Sequence, residues 1–257
     1  LIVKFFNIKT KLIISQHNYK NLERNHFISK NIIKYIYKYS DCILSVSSGI
    51  EEMLLAYGIN NDKIKTIYNP INISKIKSYG EKKNSSSLPE RYLVFIGRLG
   101  AVKNLNLLID SFHKIHKYDT ELHLVIVGDG PERLNILSRV KDLGISDNVI
   151  MLGALSNPYP IIKKSTLVLL SSLSEALPTV ILESFIFGKT VVSTPTYGAI
   201  DLLENGRYGY LSQSFEVNDF YEEINKAIMN PIEEKKLFKH ANNFKIDKKL
   251  KELISLF

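Results

Sequence analysis

The sequence predicts an α/β protein built on parallel sheets with helices on both faces. Three observations predict it. Short apolar runs alternate along the chain with amphipathic stretches of helical period, the order expected of repeated βαβ units. Several runs, such as 92–96 and 166–170, are apolar at nearly consecutive positions rather than alternate ones, as strands buried on both faces are. Proline and glycine also fall where helices of such a fold start and stop. Pro131 and Pro178 stand at expected starts, and Gly144 and Gly188 lie just past expected ends.

In order from residue 90, strands are expected at 92–96, 122–127, 149–152, 166–170 and 190–193. Helices are expected between them at 104–117, 131–143, 159–163 and 178–187, with a helical turn at 200–204. Upstream the same style recurs on a smaller scale, with strands at 12–15, 43–46 and 64–67 and helices at 29–39 and 50–57. Residues 80–89 are the most polar, linker-like stretch. The expected organisation is therefore an N-terminal domain over 1–82, a linker at 83–89 and a C-terminal domain over 90–257. In the tail a helix is expected at 218–229, followed by a charged helical region. There Leu250, Leu253, Ile254 and Phe257 recur with helical spacing, so the last helix is expected to dock, with the N-terminal domain as its partner.

With 257 residues, 45% of them hydrophobic, the chain has ample material for a core, which excludes a disordered or fibrous protein. The single cysteine, Cys42, excludes an intramolecular disulfide and a cysteine-built metal site, and is read as a small buried hydrophobe. No apolar stretch approaches the roughly eighteen residues that span a bilayer. The net charge of +8 is uneven: residues 1–83 hold fourteen Lys or Arg against six Asp or Glu, so the remainder is neutral in sum. Such a field favours an anionic membrane surface, a phosphate-bearing substrate or nucleic acid.

The chemistry-bearing residues lie at strand-to-helix turns, where open parallel sheets bind ligands. Gly97 permits a tight turn, and Arg98 and Lys103 bring two cations to one helix N-terminus. The macrodipole disfavours a cation there, and an anion such as a diphosphate would turn that repulsion into attraction; a basic solvent loop is the alternative. Gly128-Asp129-Gly130-Pro131 forms a second glycine-bearing turn, which is also ordinary turn chemistry. Neither a Walker-type sequence nor a complete GxGxxG is present. Glu175 sits in the loop entering the next helix and Glu183 one turn inside it. Two carboxylates beside a helix N-terminus suit a polyhydroxyl ligand attached to a phosphate, with amides of Pro178's neighbours facing that phosphate. The alternative is one capping carboxylate and one solvated one.

Taken in order, these motifs resemble the retaining glycosyltransferases of family 4. Gly97-Arg98-Leu99 with Lys103, Val127-Gly128-Asp129-Gly130-Pro131-Glu132 and the E-x7-E pair Glu175 and Glu183 carry the resemblance. So do the run 185–192, Glu204-Asn205-Gly206-Arg207-Tyr208-Gly209 and, upstream, Ile67-Tyr68-Asn69-Pro70-Ile71. Ala176 stands where the family usually has Gly, Gly198 where it has a glycine pair, and Asp201 where it has Glu.

The resemblance implies a GT-B fold of two Rossmann-like domains, the first incomplete because Leu1 corresponds to the interior of that domain. It implies hexose transfer, with retention, from a nucleoside diphosphate sugar to an acceptor hydroxyl in surface polysaccharide, lipopolysaccharide or other glycoconjugate synthesis. The implied donor is a UDP-sugar first and a GDP-sugar second, used without a metal or other cofactor. Arg98 and Lys103 would neutralise the diphosphate, with Gly97 and Gly130 in the turns around it. Glu175 would contact the sugar, Glu183 the ribose, and the Thr179 and Val180 amides the phosphate or sugar. His17, at the end of an N-terminal strand, is a candidate contact for sugar or acceptor, against a plain surface histidine. Lys30, Lys34 and Lys38 share one helical stripe, which suits a glycan or lipid-linked acceptor at an anionic membrane surface, against an ordinary solvated face. The expected location is cytoplasmic, peripheral on the inner membrane face. Competing readings are a GT-B nucleotide-sugar epimerase or phosphorylase and a donor-binding remnant; nucleic-acid binding lacks the aromatic and basic interleaving it needs.

Overall fold

The computed structural model describes residues 11–17, 34–83 and 87–256. Two parallel sheets organise them. The N-terminal sheet has three strands in the order β1 (Ile13–Gln16), β2 (Cys42–Ser45), β3 (Ile64–Thr66), with Ile13 opposite Cys42 and Ile43 opposite Ile64. Helix α1 (Ser48–Ala56) covers one face, packing Ile50 and Leu54 onto Ile43, Val46 and Ile64. Ser47 caps it, accepting from the Ile50 amide at 3.4 Å. The helix expected at 29–39 is seen only over 34–38, and its first residues, with Lys30, lie outside the described residues. Cys42 is half-buried rather than buried, because it lies on the sheet face opposite α1; burial pushes its thiol up.

The second sheet has six parallel strands: β4 (Tyr92–Ile96), β5 (His123–Val127), β6 (Val149–Gly153), β7 (Leu167–Leu170), β8 (Val191–Ser193) and β9 (Tyr210–Leu211). Their spatial order is β6-β5-β4-β7-β8-β9. The chain therefore builds outward from β4 in one direction and returns to add β7 on its other side. The carboxyl ends of β4 and β7 form the switch point at which such sheets place ligands. The pleat sends alternate residues of the near-continuous apolar strands to two cores. Val94, Val125 and Val168 meet Ile181 and Phe185, whereas Phe95, Ile126 and Leu169 meet Leu108, Phe112 and Phe220. Fully burying each such side chain contributes about 1.5–3 kcal/mol.

The connecting helices are α2 (Ile73–Gly80), α3 (Leu105–His116), α4 (Arg133–Asp142), α5 (Tyr159–Lys164), α6 (Thr179–Ile186), α7 (Tyr197–Leu203), α8 (Val217–Met229), α9 (Glu234–Ala241) and α10 (Ile246–Ile254). Helix α2 and strand β9 were not expected from the sequence. β9 is two residues long and α2 has only Ile73 and Ile76 as an inward stripe, too little for periodicity to register. Ile71, Ile73 and Ile76 precede the expected linker yet belong to the core of the second sheet. Pro131 lies two residues before α4 rather than in it, and Pro178 is the residue capping α6. Gly144 and Gly188 close α4 and α6 with φ of +69° and +66°, the left-handed conformation that ends a helix most cheaply in glycine.

The segment that leaves β3 meets the C-terminal tail through several pairs. Ile71 bridges Lys245, its amide donating to the Phe244 carbonyl at 2.8 Å. Tyr68 packs edge-on against Phe244 at 5.7 Å, and Lys249 of α10 lies over both rings.

Candidate active site

Between the ends of β4 and β7 lies a cavity of about 250 Å³ lined by Phe95, Ile96, Lys103, Leu170, Ser172, Glu175, Leu177, Pro178, Thr179 and Val180. Each polar group in it is placed by a short turn. Lys103 ends a single 3-10 turn and is followed by Asn104 at φ +47°, which lifts the lysine out of α3 and toward the cavity. Its carbonyl accepts from the Ser171 hydroxyl at 2.8 Å, and the Val102 carbonyl accepts from the Leu173 amide at 2.8 Å. The two loops are thus laced together before their side chains meet.

Lys103 Nζ then pairs with Glu175 Oε1, which also accepts from the Ser172 hydroxyl at 2.7 Å. The pair is four-fifths shielded, at 22% and 16% side-chain exposure, so screening weakens it less than a surface pair. Removing either partner would strand a partly desolvated charge. Ser172 is a site residue that the sequence reading missed; its signal was its position three residues before Glu175. The first-turn amides of α6, Thr179 and Val180, have no acceptor within the helix and border the same cavity.

Glu183 does not enter this cavity. It borders a second one of about 490 Å³, with Pro70, Ile71, Asn72, Lys75, Ile76, Tyr79, Ser156, Tyr159 and Thr179. Thr179 alone lines both, so the two carboxylates work on opposite sides of one threonine. The Thr179 hydroxyl donates to Glu183 Oε1 at 3.2 Å. Burial nevertheless pushes the Glu183 carboxyl above its usual range, the threonine bond offsetting only part of it. Tyr159, beside it, has its phenol pushed up by burial and by the Glu183 charge. Asn72, Lys75 and Tyr79 were also missed. Asn72 caps α2, and Lys75 and Tyr79 lie on it one turn apart, so a helix not foreseen hid them.

The glycine turns divide their labour. A Cβ on Gly97 would meet Phe95 at 3.3 Å and Lys103 Cε at 3.6 Å, so Gly97 makes room beside the lysine. Gly130 is not in the cavity wall. It has φ +158°, and a Cβ there would lie 2.4 Å from the Leu99 carbonyl oxygen. The Leu99 amide donates to Asp129 O at 2.9 Å and the Glu132 amide to Leu99 O at 3.0 Å. The second turn is a buttress behind the first. Arg98 is exposed, borders neither cavity and makes no ion pair among the described residues. His17 is exposed at the end of β1, its Nε2 2.8 Å from the Ser15 hydroxyl, in an apolar cleft with Tyr68 and α10. Among the described residues no cluster of His, Cys, Asp or Glu could hold a metal ion, and no helix is long and apolar enough to cross a membrane.

Residues 79–244 match the family of glycosyl transferases group 1, and residues 4–75 match glycosyltransferase family 4. The chain belongs to the glycosyl transferases group 1 family. As a member of that family it has the GT-B fold. HepE of Anabaena, solved with UDP and glucose, superimposes with a TM-score of 0.79 at 20% identity, over 98% of this chain and 72% of its own. TarM of S. aureus, solved with UDP, does so with 0.79 at 20% over 99% and 53%. The Campylobacter jejuni N-acetylgalactosamine-N,N'-diacetylbacillosaminyl-diphospho-undecaprenol 4-alpha-N-acetylgalactosaminyltransferase is 28% identical over 95% of this chain and 66% of its own length. N-acetyl-alpha-D-glucosaminyl L-malate synthase of Bacillus anthracis is 30% identical over 71% and 49%. The group 1 chain thus spans about half to two thirds of the length of these relatives.

Proposed function

We propose that the chain is the donor-binding part of a retaining glycosyltransferase that moves a hexose from a nucleoside diphosphate sugar to an acceptor hydroxyl in glycoconjugate synthesis. The observation that carries this is the pair of cavities joined at Thr179, one holding the Lys103–Glu175 ion pair and the other the half-buried Glu183. A nucleotide sugar laid across Thr179 would put its diphosphate at the α6 amides and Lys103, its hexose at Glu175 and its ribose at Glu183. Vicinal hydroxyls donating to Glu183 would supply the hydrogen bonds that burial has withdrawn from it.

In the free protein Glu175 neutralises Lys103. An incoming diphosphate competes for the lysine and releases Glu175 to the sugar hydroxyls. Lys103, and Arg98 once drawn in from solvent, would stabilise the leaving diphosphate in place of a metal. Because the two glutamates border different cavities, they are not arranged to flank one glycosidic bond as in a double-displacement glycosidase. This supports front-face departure, with positioning and electrostatics lowering the barrier. UDP-sugars are the first donors to test, since HepE and TarM were solved with UDP, and GDP-sugars the second.

The acceptor would approach from the N-terminal sheet, near His17. We propose residues 1–82 as the acceptor-side domain and 90–257 as the donor domain, joined at 83–89. A lipid-linked acceptor at an anionic membrane suits the relative named for an undecaprenol diphosphate substrate and the exposed Lys34, Tyr35, Lys38 and Tyr39. The test is a panel of UDP- and GDP-sugars offered with and without lipid-linked acceptors. Nucleotide release that depends on the acceptor, and weaker donor binding by Glu183→Ala and Lys103→Ala, is the expected result. Unchanged donor affinity in both variants would overturn the assignment.

A further inference from the structure

Asp201 lies on α7 and lines neither cavity, yet its carboxylate reaches across to the N-terminal sheet. One oxygen accepts from the Ser48 amide at 2.7 Å and the other from the Ser48 hydroxyl. Ser48 is the first residue of α1, and its amide is one of the donors that a helix leaves unsatisfied at its start. Asp201 therefore completes the cap of a helix 153 residues away in sequence, with the positive end of that helix dipole attracting its charge. The Tyr68 hydroxyl shares the same carboxylate; burial, then the Asp201 charge and hydrogen bond, push the phenol up to about 12.

The other end of α7 holds the Glu175 loop. The Gly198 amide donates to the Glu175 carbonyl at 3.1 Å. A Cβ on Gly198 would lie 2.5 Å from the Ala176 carbonyl oxygen, so the helix can approach this closely only through glycine. Gly198 and Asp201 are three apart and share one helix face. Ala176 and Leu177, next to Glu175, pack in turn against the core of the N-terminal sheet. The Glu175 loop is gripped from both sides by groups whose placement depends on the two sheets standing in this relation.

We propose that Asp201 is a positioning residue that couples the seating of the N-terminal sheet, through α7, to the register of the loop bearing Glu175. The coupling rests on the reading of Glu175 as the sugar contact only for its effect on ligands, not for its mechanical part. Losing the carboxylate frees α7 to shift, and Glu175 loses its setting against Lys103 without either residue being altered.

The test compares Asp201→Ala, Asp201→Asn and Ser48→Ala with the 257-residue wild type by amide hydrogen exchange in the free protein. Asp201→Ala is expected to speed exchange at 173–177 and in the first turn of α1 by about tenfold, the size of one charge-assisted hydrogen bond, and to leave β4 and β7 unchanged. Asp201→Asn keeps an acceptor of the same reach and should restore most of the protection. Ser48→Ala, which alters the other sheet, should loosen 173–177 in the same direction. Loosening confined to α1, or spread over both sheets, would overturn the coupling. Binding of UDP-glucose and of UDP separates this from the ligand reading. If Glu175→Ala leaves the ratio of the two affinities unchanged, the sugar contact fails. If that variant changes the ratio and Asp201→Ala does not, the coupling fails.

Discussion

Glu175 and Glu183 are the same side chain eight residues apart, and the protein gives them opposite surroundings. Glu175 has a lysine and a serine hydroxyl for partners in a polar cavity. Glu183 has one threonine hydroxyl, no ion pair among the described residues although Lys75 lines the same cavity, and enough burial to push its carboxyl up. One is stabilised in its charged form by a partner that a diphosphate would take over. The other has a single threonine hydroxyl against the cost of its burial. A spacing motif alone carries none of that asymmetry, which comes from what stands opposite each residue.

The sharpest way to break the comparison is Lys103→Ala. It removes the cation from one cavity only, and kcat/KM for the preferred donor should fall by about 10²–10³, the range for losing one preorganised charge at a leaving group. Steady-state kinetics would check it, and a loss below tenfold would mean that Glu175 is set by something other than Lys103. The second is Gly130→Ala, which strikes the buttress behind Lys103 without touching either carboxylate. With its Cβ 2.4 Å from a backbone oxygen at φ +158°, unfolding in denaturant should show a loss of roughly 2–3 kcal/mol. The smallest effect is expected from Glu183→Gln. Because its folded pKa is raised above the ordinary 4.5, the native state holds the proton more tightly than the unfolded chain. Its stabilising contribution is present below pH 4.5 and is lost as pH rises through the folded value. The glutamine variant should therefore unfold with a flatter pH dependence above pH 4.5 and gain stability relative to wild type at neutral pH, while binding UDP roughly fivefold more weakly for loss of about 1 kcal/mol. Unchanged pH dependence would show that Glu183 is better solvated than its position implies.

The strands of the second sheet were legible because burial on both faces leaves runs such as Leu167–Leu170 with no polar position. The helix holding Glu183 was equally legible, with Ile181, Leu182 and Phe185 as its inward face. Helix α2 was not. Half its residues are polar, and the core that its inward isoleucines join includes residues 80 or more positions later, such as Ile161 and Phe185. Three residues of the Glu183 cavity, Asn72, Lys75 and Tyr79, were lost with it. Gly130 was placed in the right turn, but its use as a buttress follows from the 97–100 loop lying against it, a matter of sheet order.

By itself the sequence determined most of the strands and helices, where their turns lie, and that Lys103 and Glu175 precede helices while Glu183 lies one turn inside the second. Those are properties of hydrophobic period and turn chemistry, each written within a few neighbouring residues. Only the tertiary structure decided that Glu175 and Glu183 face different cavities, that Arg98 stands in solvent, and that Asp201 caps a helix of the other sheet. Each of those depends on which element lies opposite, and strand order, not local period, selects that neighbour.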